Sequence, residues 1–161
     1  MLIEKIYIDL DQVLADFDKK KEELKLIHPS MAKNDEEFWK GINSVDNFFS
    51  TLDKMVDADE LMAHLNSLSI PLSILTALPR KSTMPTARKD KREWIKRHIS
   101  EELDFIAVYA ARNKQLYANP THLLIDDKTS NIDEWRAKGG IAIQHVSAEV
   151  TISKLDRLLC L

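Results

Sequence analysis

Two aspartates one residue apart, Asp9 and Asp11 in IYIDLDQVLADF, follow an apolar run close to the amino terminus. A second acidic pair, Asp126 and Asp127 in LLIDDK, follows another such run. Between them in the chain, Thr76 closes SILT and Lys114 closes AARNK. Taken singly, an aspartate after a strand is an ordinary turn or cap residue. Four carboxylates on one rim repel each other unless a cation lies among them, and an all-oxygen ligand set selects a hard ion such as Mg2+. A hydroxyl and a lysine beside that ion would hold an anion, and a phosphate fits the pair.

This chemistry requires the acids, Thr76 and Lys114 to meet, which the surrounding elements must arrange. Apolar runs at residues 3–10, 71–75, 105–109, 123–125 and 141–143 are too short for helices and show no polar alternation, as expected of parallel strands covered on both faces. Helical patterns separate them. Residues 84–99 open with Pro85 near a first turn and carry Ala87, Trp94, Ile95 and Ile99 at helical spacing. Ser130 is expected to cap a helix that Gly139 stops, and residues 150–159 read as a last amphipathic helix. The alternation predicts an α/β fold, an open Rossmann-like sheet with right-handed crossovers. Ligands in such sheets bind beyond the carboxyl ends of the strands, where all these polar residues fall.

About 55 residues separate the first two strands, more than one crossover helix needs. Residues 16–57 are therefore expected to form a small helical cap on a core made of residues 1–15 and 58–161. The insert is rich in Lys, Glu and Asp and carries Phe17, Phe38, Trp39, Phe48 and Phe49.

The bulk composition narrows the function. The chain has 161 residues, 44% hydrophobic and 30% charged, with a net charge of −3, so it can bury a core but carries no overall basic field for nucleic acid. The basic run of Arg88, Lys89, Lys91, Arg92, Lys96 and Arg97 is interleaved with Asp90 and Glu93 and is expected to be a solvated helix face. Arg80 and Lys81 follow Thr76 closely enough to touch a phosphate. One cysteine, Cys160, rules out an intramolecular disulfide and fits a reducing cytoplasm. No stretch approaches the roughly 20 apolar residues of a membrane span. The five histidines have no metal-ligand spacing. No membrane and no stable nucleic-acid partner is expected, and monomer and homodimer stay equally open.

In order and strand context these residues resemble the haloacid dehalogenase-like phosphatases, whose first motif is a hydrophobic strand followed by DxDx(T/V). IDLDQVLADF is similar to that motif, SILTALP to the second, Lys114 in AARNK to the third, and LLIDDKTSN to the fourth. Within the superfamily, DLDQVLADF, NFFSTLD and LLIDDK with Asn131 resemble the 5'(3')-deoxyribonucleotidases. Gln12 stands where those relatives carry glycine, and Asn43 where they carry a tryptophan.

The resemblance implies that Asp9 is a nucleophile and Asp11 a proton carrier. It implies Mg2+ held by Asp9, the main-chain carbonyl of Asp11 and Asp127, with Asp126 acting through water or by orienting Lys114. Thr76, the Ala77 N–H and Lys114 would bind phosphate. Phe17, Phe38 and Trp39 would contact a nucleobase, while Phe48 and Phe49 are expected to be filling. The implied activity is hydrolysis of nucleoside monophosphates; the core motifs equally serve 3'-phosphate ends of nucleic acid or another small ester. A non-enzymatic phosphate or metal sensor keeps the same fold.

Overall fold

The computed structural model describes residues 2–160. Five parallel strands, β1 (Lys5–Ile8), β2 (Leu72–Leu78), β3 (Asp104–Tyr109), β4 (His122–Asp126) and β5 (Ile141–Gln144), form one sheet in the order β3-β2-β1-β4-β5. The order reverses at β1, so a crevice opens beyond its carboxyl end. β1 alternates strictly. Ile6 and Ile8 enter the larger core with Ile74, Leu123 and Ile125, while Tyr7 joins Leu75, Leu124, Ile132 and Trp135 on the other face.

The helices are α1 (Phe17–Ile27), α2 (Asp35–Asn43), α3 (Ala58–Ser67), α4 (Ala87–His98), α5 (Thr129–Ala137) and α6 (Ala148–Leu159). Asp16 caps α1 by accepting from Lys19 N, and Asn34 caps α2 by accepting from Glu37 N. At the start of α3, Asp57 does not cap its own helix. Its carboxylate accepts from Ala148 N at 2.6 Å and joins the starts of α3 and α6.

Two expectations about boundaries need correction. Ser130 does not cap α5, which begins at Thr129 with Lys128 before it; Asp126 Oδ1 accepts from Lys128 N instead, so a strand-end carboxylate shapes the entry. Thr76 does not end β2, which continues to Leu78 because β3 pairs with it as far as Tyr109. Gly139 does close α5, with φ +84° and its N–H bonded to the Arg136 carbonyl.

The long insert between β1 and α3 contains α1, α2 and two 3-10 turns, Pro29–Ala32 and Phe48–Thr51. Its two ends run side by side: Asp16 N donates to Asp53 O and Met55 N to Leu14 O, each at 2.8 Å. Helix α4 clamps the second turn, since Trp94 Nε1 donates to Leu52 O at 2.7 Å and Arg97 to Ser50 O at 3.0 Å. Trp94 is fully buried. No helix among the described residues is long and apolar enough to cross a membrane.

Candidate active site

Strand register brings the acids together. Ile8 pairs with Ile125 across β1 and β4, so the next residues, Asp9 and Asp126, lie beside each other at the crevice, with Asp127 one step beyond. Asp9 N donates to Ile125 O at 2.9 Å and completes the ladder. One oxygen from each of Asp9, Asp126 and Asp127 lies within 4.8 Å of the others.

Lys114, on a 3-10 turn at Ala111–Tyr117, reaches back into this group. Its Nζ lies 2.7 Å from Asp9 Oδ1 and 2.6 Å from Asp126 Oδ2. Burial pulls its pKa down, but Asp9 and Asp126 outweigh that and hold it above its ordinary value. Asn131 on α5 donates to both oxygens of Asp126, at 3.0 and 2.9 Å. With Lys128 N as a further donor, Asp126 has its acceptors filled. Asp127 has only the Lys128 charge and a backbone hydrogen bond in relief, and burial first, then Asp9 and Asp126, outweigh them and push its pKa up to about 7. A cluster of oxygens in which burial and adjacent carboxylates raise the pKa of one acid fits a hard divalent ion, whose charge would relieve both. The Asp11 side chain is outside this oxygen group.

Asp11 faces a different cation. Lys91 on α4 is buried at 1% exposure, which corrects the expectation that it belongs to a solvated helix face. Its Nζ lies 2.6 Å from Asp11 Oδ2, 3.0 Å from Thr76 Oγ1 and 2.9 Å from the Ala77 carbonyl. It also sits 4.4 Å from the centre of the Phe49 ring. Its position is readable in retrospect. Ala87, Lys91, Trp94 and Ile95 follow i, i+4, i+7, i+8 spacing, so Lys91 falls on the apolar stripe of α4. The neighbouring charges hid that period. Other basic residues of the run bond to backbone carbonyls, Arg88 to Ala107 and Arg92 to Leu103.

These groups open into a cleft of about 540 Å³. Asp9, Asp11, Ala77, Lys91, Lys114, Asp127 and Asn131 form its polar floor, and Phe17, Phe38, Trp39 and Phe49 its apolar wall. Phe17 stacks against Phe49 at 6.1 Å, and Phe38 meets Trp39 edge-on at 5.2 Å. Phe48 is fully buried, as filling should be; Phe49 lines the cleft and is more than filling. Thr76 lies beneath this floor, fully buried, with its hydroxyl turned to Lys91. Arg80 and Lys81 do not reach the cleft. Arg80 lines a separate groove on the far side of Trp39 and Pro79. A further cleft of about 610 Å³ opens at the opposite end of the sheet beside His98 and Asp104, far from these groups.

Gln12 departs from ordinary backbone geometry, with φ 61°. A residue with a Cβ in that left-handed region costs about 1–2 kcal/mol, which glycine avoids. Its Oε1 accepts from Asp18 N at 2.8 Å, satisfying a free donor in the first turn of α1 and recovering part of that cost.

Known structures share this arrangement of the backbone. A haloacid dehalogenase-like family hydrolase from Xanthomonas campestris superposes with a TM-score of 0.73 at 7% identity, over 97% of this chain and 91% of that one. A hydrolase of the same superfamily from Bacillus subtilis, solved with magnesium, gives 0.58 at 11% identity over 100% of both chains. An enzyme from Bacteroides thetaiotaomicron, solved with magnesium and inorganic phosphate, gives 0.55 at 15% identity over 90% of this chain and 95% of that one. At such identities the likeness concerns the fold. No curated protein matches the chain. A family profile does match, over residues 21–157, beginning after Asp9, Asp11, Gln12, Phe17 and Asp18 and taking in the cleft residues from Lys21 onward. The chain therefore belongs to the family described as 5' nucleotidase, deoxy (Pyrimidine), cytosolic type C, and is a hydrolase of the haloacid dehalogenase-like superfamily.

Proposed function

We propose that the protein is a Mg2+-dependent phosphatase acting on deoxynucleoside monophosphates, with Asp9 as nucleophile. The observation that carries this reading is the cleft itself, where an acidic cluster and two buried lysines meet an aromatic wall large enough for a base. In this reading, residues 1–15 and 58–161 form the catalytic core and residues 16–57 a substrate-selecting cap.

Asp9, Asp127 and the main-chain carbonyl of Asp11 would hold the ion, with Asp126 orienting Lys114. A bound Mg2+ supplies charge neutralisation for a phosphate dianion approaching a carboxylate. Asp9 Oδ attacks phosphorus while the bond from phosphorus to the ester oxygen breaks. Asp11 gives its proton to the departing alcohol oxygen. It then takes one from a water whose oxygen attacks phosphorus, breaking the acyl-phosphate bond and returning Asp9 as a carboxylate. Lys114, Lys91 and the Ala77 N–H stabilise the phosphoryl oxygens, and Thr76 acts through Lys91. Lys91 is paired with Asp11, and Asp11 Oδ1 is buried without a partner among the described residues. A phosphate competing for Lys91 frees Asp11 to carry a proton. Phe17, Phe38 and Trp39, joined by Phe49, are the contacts for the base. The single cysteine suits a reducing cytoplasm.

Release of phosphate from 5'- and 3'-deoxynucleotides, ribonucleotides and a 3'-phosphorylated oligonucleotide, with Mg2+ or chelator, tests the reading. Deoxynucleoside monophosphates should turn over only with Mg2+, and Asp9→Asn should abolish turnover. No Mg2+-dependent release from any of them sinks the proposal, and preference for the oligonucleotide replaces it with a nucleic-acid end phosphatase.

A further inference from the structure

We propose that Gln12 determines which leaving group the site accepts, its side-chain amide N–H donating to an oxygen on the alcohol part of the substrate, a sugar hydroxyl or ring oxygen. The inference deepens the phosphatase reading and rests on it.

Three observations meet at this residue. First, the Asp18 N–H occupies Oε1 and thereby settles which end of the carboxamide is which. The amide nitrogen is left with two hydrogens and no protein partner among the described residues. Second, Gln12 lines the cleft together with Asp11, its neighbour in the chain, and with Phe17 and Asp18 at the start of the insert, the latter bonded to it. Asp11 serves the departing oxygen, so a donor beside it on the side of the insert meets the departing alcohol, whereas the phosphoryl group faces Lys91 and Lys114. Third, the backbone at Gln12 is held in the left-handed region at φ 61°, where glycine is the residue of least strain. A glutamine whose acceptor is anchored by the Asp18 N–H carries its free amide hydrogens on a side chain already tethered at the cleft. Tethering matters because a donor that needs less ordering on binding discriminates more strongly between partners.

The test compares kcat/KM for a 2'-deoxynucleoside 5'-monophosphate with that for phenyl phosphate, which offers no oxygen beyond its phosphate. Gln12→Gly removes the amide and suits the backbone. Gln12→Glu keeps an acceptor for the Asp18 N–H and removes the donor; the negative charge it adds meets the phosphate of both substrates alike and is divided out in their ratio. Both variants should lower the ratio of nucleotide to phenyl phosphate kcat/KM roughly threefold to tenfold, the range for one hydrogen bond, chiefly through a higher KM for the nucleotide. A ratio unchanged in both overturns the inference. A fall in Gln12→Gly alone also overturns it, since that assigns the effect to the Asp18 bond and the placement of α1. Failure of the unsubstituted protein to hydrolyse either compound overturns the phosphatase reading and this inference together, whereas turnover with unchanged ratios overturns this inference alone.

Discussion

Replacing Asp127 with asparagine should make the metal-free protein more stable while removing its response to Mg2+. The carboxyl sits against Asp9 and Asp126 with no buried cation of its own, and its pKa is pushed from 3.8 up to about 7. Because the folded value lies above the unfolded one, the proton stabilises the fold. That stability is complete below about pH 3.8 and is lost as pH rises through about 7. At about 1.4 kcal/mol for each pH unit the full loss is about 4 kcal/mol. Asp127 keeps part of its surface in water, and solvent screening reduces that to roughly 2 kcal/mol. Asparagine keeps the shape and discards the charge. At pH 8 in chelator, Asp127→Asn should therefore melt about 4–8 °C above the parent, at about 2–4 °C per kcal/mol for a chain of this size. The gain should shrink as pH falls toward 4. Mg2+ should raise the melting temperature of the parent and leave that of the variant nearly unmoved. Calorimetry across pH in chelator and in Mg2+ measures all of this. A variant that melts below the parent in chelator at pH 8, or a gain independent of pH, refutes the reasoning from crowded carboxylates.

Lys91→Met should lower kcat/KM by about 10²- to 10³-fold, the usual loss on removing one group that stabilises developing charge. The protein should stay folded, because Met fills the same space and Asp11, 29% exposed at its side chain, can regain water; activity within a few-fold of the parent returns Lys91 to a purely structural role. Gly140→Ala places a Cβ against the indole of Trp135, which is fully buried and cannot swing away. A loss of about 1–3 kcal/mol in urea denaturation is expected, and an unchanged midpoint removes that packing argument.

The strands were legible because a doubly covered parallel sheet leaves uninterrupted apolar runs, and each observed strand overlaps a predicted one. That Asp9, Asp126 and Asp127 could converge followed from their places at strand ends, and Lys114 from the loop before the fourth strand, once those strands are neighbours. What escaped detection has local causes. Lys91 lies among charges that mask the buried period of α4. Phe49 reads as filling because an aromatic residue in a small helical insert is ordinarily core, and the cleft it lines arises only where the insert meets Lys91 of α4. Ser130 looks like a cap because its type is right, yet the Asp126 carboxylate already serves the Lys128 N–H. The strain at Gln12 is not written in its side-chain type, since glutamine is an ordinary residue wherever φ is negative.

The paired ends of the insert, where Asp16 bonds to Asp53 and Leu14 to Met55, make the molecule modular. To the sheet, everything between them is a hairpin closed at its base, and lengthening a closed loop adds little entropic cost, about 0.6 kcal/mol for each doubling. On the proposed reading, substitutions on the aromatic wall can change the substrate contacts while the strand register that assembles the acids is kept by β1 and β4. If the proposed reading holds, one set of acids could thereby serve different esters, with Gln12, at the joint between β1 and the insert, as the residue where a change in one part meets the constraint of the other.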